Sequence, residues 1–377
     1  MLEDPHLIAM GLFSRNGSRS VSSASGGHDS VEPRRPGLEP LPSVPSEDGR
    51  GHTLASTTRF FDIGVAGDWN YPNRKSMEDT NVVIVDYLGV PGCAYFAVFD
   101  GHAGAQCAQA AAEHMHVILA DVLDAQGPTK DVAWALSTAF QRLDEQLHGM
   151  EIRNSGATAA VSVCCFMSPR GELVAGGTKG SVRRLFVANV GDSRAVLGTR
   201  PAALSATPGG PGESDGGEVG DGERSTETEL GDASSFKTVR DVDQYGAVVS
   251  RRLSYDHRCS DVNEQRRVAN SGGLVVNNRV NGMLAVTRSL GDLFMKDYVV
   301  GAPYTTETEL DERNDDFLVL ACDGLYDVCS DDKTTQTVDA ALRQGRSAAA
   351  ASSDLLDQAL QAFSMDNITV MVVKFTR

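Results

Sequence analysis

The stretch Ala94-Tyr95-Phe96-Ala97-Val98-Phe99-Asp100-Gly101-His102 constrains the fold most strongly. Six apolar, β-prone residues run straight into an acid, a glycine and a histidine. The run predicts a buried strand, with Asp100 at its exit. Gly101 lacks a Cβ, so its backbone can approach a ligand closely. His102 brings a group that titrates near neutral pH. A single acid after a strand reads first as a turn or a helix cap.

The construction recurs, and the recurrence carries the weight. Phe317-Leu318-Val319-Leu320-Ala321-Cys322 ends in Asp323-Gly324, and Asp366-Asn367 opens the run Ile368 to Val373. A fourth cluster, Arg74-Lys75-Ser76-Met77-Glu78-Asp79, stands directly before Asn81-Val82-Val83-Ile84-Val85. If these strand ends converge, their carboxylates repel one another unless cations neutralise them. Hard divalent ions with oxygen ligands, Mg²⁺ or Mn²⁺, suit such a set.

The remaining sequence bounds the setting. No apolar run is long enough to span a bilayer, so no membrane partner is expected. The start, Met1-Leu2-Glu3-Asp4, is acidic, and a secretory leader is not expected. Seven cysteines without CxxC spacing fit a reduced intracellular setting, cytoplasmic or nuclear, with no zinc site. A formal charge of −17 argues against a nucleic-acid surface. The chain is expected to act as a monomer. Residues 1–56 are rich in Ser, Gly, Pro and Arg and read as a disordered tail. The ordered domain is expected over 57–377, interrupted at about 201–240 by an acidic, disordered insertion.

Within that domain helices are predicted at 104–123, 131–148, 261–270, 331–343 and 347–362, and strands at 59–65, 81–87, 155–166, 184–190, 195–198, 273–276, 283–288, 317–322 and 368–375. Gly171 to Lys179 fails as a phosphate loop for want of a correctly placed Gly-Lys-Ser/Thr, and reads as a hairpin turn. Asp192-Ser193 is no nucleophile elbow; a tight turn and a role near a metal remain equally open. Asp256-His257 reads as a cap or turn, and Cys322 as small core filler. Many short strands without βαβ alternation, and helices arriving in pairs, predict an α+β fold with largely antiparallel sheets covered by helices.

Seven motifs appear in order: Arg74-x-x-Met77-Glu78-Asp79, Phe99-Asp100-Gly101-His102, Ser155-Gly156-Ala157-Thr158-Ala159, Gly191-Asp192-Ser193-Arg194, the run Val280 to Asp292, Ala321-Cys322-Asp323-Gly324-x-x-Asp327 and Asp366-Asn367. Over roughly residues 57–375 the chain resembles the protein phosphatase 2C family of metal-dependent serine/threonine phosphatases. Val299 to Thr306 is similar to fungal members. The resemblance implies a β-sandwich of two antiparallel sheets flanked by helix pairs (αββα), with the metal site at one end. It implies hydrolysis of phosphoserine and phosphothreonine in phosphoprotein substrates by a metal-activated water, in a signalling role. By the same resemblance Asp100 bridges two metals and the Gly101 carbonyl ligates one of them. Asp323 and Asp366 are direct ligands, Glu78 and Asp79 hold metal-bound waters or a metal edge, and Arg74 grips the phosphate. His102 is the candidate acid for the leaving alkoxide, and Asp192 with Asp327 would help hold a weaker third ion. The flap is expected within about 242–272. The competing reading is a non-catalytic binding or scaffold module on the same fold.

Overall fold

A computed structural model describes residues 35, 37–42, 44–45, 51–150, 152, 154–200 and 247–376. The chain begins with strands β1 (Val44–Pro45), β2 (His52–Thr57), β3 (Phe61–Asp68), β4 (Thr80–Val85) and β5 (Ala94–His102). Helices α1 (Gln106–Ala125) and α2 (Val132–Gly149) follow. Next come β6 (Gly156–Met167), β7 (Leu173–Val174), β8 (Val182–Val190), β9 (Arg194–Thr199) and β10 (Val249–Arg252). Helix α3 (Val262–Asn270), the hairpin β11 (Val275–Val276) and β12 (Arg279–Val280), then β13 (Leu290–Gly291) and β14 (Tyr304–Glu309) lead on to β15 (Asp315–Ala321). Helices α4 (Asp323–Tyr326), α5 (Asp331–Arg343) and α6 (Ala348–Gln361) precede the last strand, β16 (Ile368–Phe375).

Among the described residues two large antiparallel sheets form beside the two-stranded β11–β12 hairpin. One runs β1-β2-β3-β16-β15-β9-β10; the other runs β14-β8-β6-β5-β4, with β7 and β13 also on β6. The continuous apolar runs are explained by burial on both faces. In β5, Ala94, Phe96 and Val98 enter the core between the sheets. Tyr95, Ala97 and Phe99 face the layer of α1 and α2. In β15 and β16, Leu318, Leu320, Met371 and Val373 point between the sheets, while Phe317, Val319, Val370 and Val372 pack under α5 and α6. The layers are therefore helix pair, sheet, sheet, helix pair, as expected. Side-chain caps fix the helix starts: Asp131 accepts from the Trp134 N–H at 2.9 Å, Ser330 from Lys333 and Ser347 from Ala350. No helix among the described residues is long and apolar enough to cross a membrane.

Three expectations change or fall outside view. The tail was expected to run to residue 56, but His52–Thr57 is a strand paired along β3. Only Leu54 of that strand is buried, so its apolar pattern is weak. The expected strand at 283–288 is instead a series of turns with isolated bridges. Asn281 (φ 50°) and Gly282 (φ 73°) reverse the chain there. The acidic insertion at 201–240, and the tail before residue 35, lie outside the described residues.

Phe96 is fully buried, and its ring stands edge-on to Phe61 with centroids 5.6 Å apart. Phe96→Ala should cost about 3–5 kcal/mol of folding stability, as measured by denaturant unfolding. A loss below about 1 kcal/mol would mean that this centre is not packed as described.

Candidate metal centre

One end of the sandwich collects the acids. Asp100 leaves β5, Asp323 opens α4 directly after β15, and Asp192 sits in the turn between β8 and β9. Carboxylate oxygens of these three lie within 4.8 Å of one another. With Gly101, His102, Asp366 and Arg74 they line a cavity of about 400 Å³. Glycines make the convergence sterically feasible. A Cβ on Gly101 would lie 2.4 Å from the Glu78 carbonyl oxygen, and one on Gly324 would lie 1.9 Å from that of Asn367. Each Asp-Gly pair thus lets a neighbouring backbone pass directly beside a carboxylate.

The electrostatics are those of anions crowded out of water. Burial, and then the charge of Asp323, push the Asp100 carboxyl well above the usual range. Burial, and then Asp192, do the same to Asp323. Burial lifts Asp79 to about 6, with the Thr369 hydroxyl and the Cys322 thiol pulling it partly back. Asp192 also rises to about 6 through burial, against the pull of Arg258. Asp79 Oδ2 accepts from Thr369 Oγ1 at 2.7 Å, whereas its buried Oδ1 has no well-formed hydrogen bond.

Two arginines already bear on the cluster. Arg74 pairs with Asp366 and donates weakly to the Met365 carbonyl at 3.4 Å. Arg258 holds Asp192 at 3.0 Å and Asp327 at 2.5 Å, so the proposed third-ion acids share a guanidinium. His102 lines the cavity, and its Nε2 meets Asp292 Oδ2 at 2.8 Å. Glu78 is not brought in through its carboxylate, whose one contact is the Ser76 hydroxyl at 3.5 Å. Its backbone serves the site instead: the N–H donates to Asn367 Oδ1 at 2.8 Å and the carbonyl flanks Gly101.

Sequence reasoning assigned no role to several supports. Asn367 ties the loop between β3 and β4 to the start of β16, donating through Nδ2 to the carbonyls of Trp69 (2.9 Å) and Ser76 (3.0 Å) and accepting from the Glu78 N–H. Its position beside Asp366 was the only clue. Asp292 orients His102 and also accepts from Ser289 Oγ at 2.5 Å. Its acid character was visible, but a partner 190 residues away was not. His257, read as part of a cap or turn, is buried with Nδ1 3.1 Å from the Gly191 carbonyl, and so braces the turn that carries Asp192. Asp256 pairs with Arg194 and Arg252, outside the cavity lining. Cys322 is buried, as expected of core filler.

The donor set is anionic and all oxygen, partly unsatisfied, and beyond what two arginines can neutralise. It fits a hard divalent cation. The antiparallel αββα sandwich thus carries at one end an acidic nest of the kind that holds a metal ion. The family model for protein phosphatase 2C matches residues 64–207 and 241–368, and the chain belongs to that family of protein serine/threonine phosphatases. It is 35% identical over 319 residues to Protein phosphatase 2C homolog 1 of Saccharomyces cerevisiae, spanning 83% of this chain and 93% of that protein. It is 31% identical over 342 residues to the Schizosaccharomyces pombe protein of the same description, spanning 89% and 81%. A serine-threonine phosphatase 2C structure from Toxoplasma gondii superposes with a TM-score of 0.59 at 19% identity, covering 89% of this chain and 99% of that one. That likeness concerns the fold alone.

The raised carboxyls make metal and pH interdependent. An acid whose folded pKa is raised favours folding while protonated, and that contribution is lost as pH climbs from about 4 through about 6. Chelator-treated protein should therefore lose thermal stability as these groups ionise. The rise in melting temperature on adding Mn²⁺ should be larger at about pH 7 than at about pH 5. Calorimetry in both conditions checks this; an equal or smaller rise at the higher pH would contradict it.

Proposed function

We propose that the cavity is a binuclear Mg²⁺ or Mn²⁺ centre at which the protein hydrolyses phosphoserine and phosphothreonine in signalling phosphoproteins. The observation that carries this reading is the approach of Asp100, Asp192 and Asp323 to within 4.8 Å beside Arg74. Asp100 would bridge the two cations, the Gly101 carbonyl would ligate one, Asp323 and Asp366 would be direct ligands, and Asp79 with Glu78 would order water around them. Bound cations would acidify water near neutral pH and offset phosphoryl charge.

The protein's own groups supply the rest. Arg74, paired here with Asp366, would make paired bonds to phosphate oxygens, for which its planar fork is suited. Arg74 is exposed at the cavity rim, so a phosphate borne on a protein surface can reach it. His102 Nε2–H is committed to Asp292, which leaves Nδ1 to deliver a proton to the departing serine or threonine oxygen. The buried Asp292 fixes the ring orientation. A third, weaker cation near Asp192 and Asp327 would have to displace Arg258. The seven cysteines are all free and buried, which supports a reduced cytoplasmic or nuclear setting. The protein would act there as a monomer.

Release of phosphate from a phosphothreonine peptide with Mn²⁺ tests the reading, and a folded protein without turnover would refute it. Asp100→Asn should lower kcat by more than about a hundredfold. Asp256→Asn should leave kcat within a few-fold, yet cost about 1–3 kcal/mol of stability by removing a partner of buried Arg194. Comparable kcat losses in the two variants would show the site to be wrongly drawn.

A further inference from the structure

Four large apolar side chains stand in solvent on two loops at one corner of the cleft. Trp69 is 40% exposed, Tyr71 71%, Phe363 83% and Met365 65%. The loops are bolted together. Asn70 Nδ2 donates to the carbonyls of Ser364 at 2.6 Å and Asp366 at 3.0 Å, and Asn367 Nδ2 donates to that of Trp69. Arg74 belongs to the same unit: its backbone N–H donates to the Asn70 carbonyl at 3.2 Å, and its guanidinium reaches Met365 and Asp366. The exposed apolar groups therefore flank the arginine assigned to the phosphate.

Phe363 makes the patch more than incidental. Helix α6 ends in a Schellman arrangement, with Ser364 N–H donating to Ala359 O at 3.0 Å and Phe363 N–H to Leu360 O at 3.1 Å. Phe363 occupies the left-handed position of that cap with φ 60°. Glycine is the residue suited to that position, because a Cβ there is sterically costly. A strained aromatic ring that is almost wholly in water stabilises neither the helix nor the core. Such a departure from local preference is expected at a surface that binds something. Trp69 and Tyr71 stack with centroids 6.0 Å apart and form a firm wall on the companion loop.

We propose that the corner formed by Trp69, Tyr71, Phe363 and Met365 is a subsite for apolar residues adjoining the phosphorylated serine or threonine of a substrate segment. The inference rests on the phosphatase reading of the cavity and specifies its substrate. The occupant is an extended phosphopeptide, because the patch is continuous with the Arg74 phosphate position and one bound segment covers both. Aromatic side chains offer large apolar area at low ordering cost, and Met adapts its shape to irregular apolar surfaces.

The test uses two peptides bearing a non-hydrolysable phosphonate in place of phosphoserine, flanked on both sides by two Leu or by two Ser. In the presence of Mn²⁺ the wild-type protein should bind the Leu peptide about tenfold more tightly. Phe363→Gly should reduce that preference to about threefold or less without lowering the melting temperature, since glycine suits the cap. Phe363→Gly with Met365→Ser should abolish it. Equal affinity of the wild type for both peptides would overturn the proposal. So would a preference that survives the double variant. Turnover of a small aryl phosphate by the wild type, measured in parallel, reports on the phosphatase reading alone. Its absence would strike that reading, while the peptide pair still decides the subsite.

Discussion

Repulsion among buried carboxylates is the constraint on which the structure turns. Asp79 and Asp192 are buried, and Asp100 and Asp323 half-buried, in a space where burial first, and for Asp100 and Asp323 the neighbouring charges next, lifts their proton affinities. Isolated charges in such a place would each cost several kcal/mol, or about that much. The fold tolerates them because each is carried by a rigid strand end or tight turn and cannot swing into water. Glycines at 101 and 324 admit neighbouring backbone where any side chain would collide. Arg74 and Arg258 offset part of the charge from the rim. What remains is a surplus of negative charge that these two arginines do not neutralise.

The order of strands explains how distant acids meet. The last strand, β16, lies between β3 and β15, with Met371 opposite both Val65 and Leu320. That insertion brings Asp366 and Asn367 beside the loop of Trp69 to Asp79 and beside Asp323. Asn367 then locks the arrangement through three hydrogen bonds to segments nearly 300 residues away. Losing this clamp would remove three of the hydrogen bonds that hold the loop carrying Arg74 against the start of β16. Thr369, the next residue but one, reaches Asp79 from the same strand.

Much of this was legible because burial on both faces writes long apolar runs. β5, β15 and β16 each combine side chains for two different cores, so their sequences read as unbroken strands ending in acids. Helices α5 and α6 were legible at 331–343 and 347–362, and the structure adds Ser330 and Ser347 as their caps. Where only one side chain of a strand is buried, as with Leu54 in β2, the pattern fades and the tail was drawn too long. The 283–288 segment looked apolar enough for a strand, yet Asn281 and Gly282 turn it, and Leu284, Ala285 and Val286 line the cavity instead. Asp100 and Asp323 were found from their strands, and Asp366 from the strand it leads into. Asp192 stayed ambiguous because a Gly-Asp-Ser turn looks alike with or without a ligand nearby. Glu78 and Asp79 read alike in the sequence, since adjacency does not say which of two neighbouring carboxylates is the more buried. The supports at Asn367, Asp292 and His257 act through contacts remote in sequence, which spacing cannot reveal.

Everything converges on whether those strand ends form a cation nest. The most direct measurement is anomalous diffraction at the manganese edge from crystals soaked in Mn²⁺. Two peaks within coordination distance of Asp100, with Asp323 and Asp366 among the ligands, are predicted. Clean maps without manganese between these carboxylates, or with it bound only elsewhere, would contradict the account.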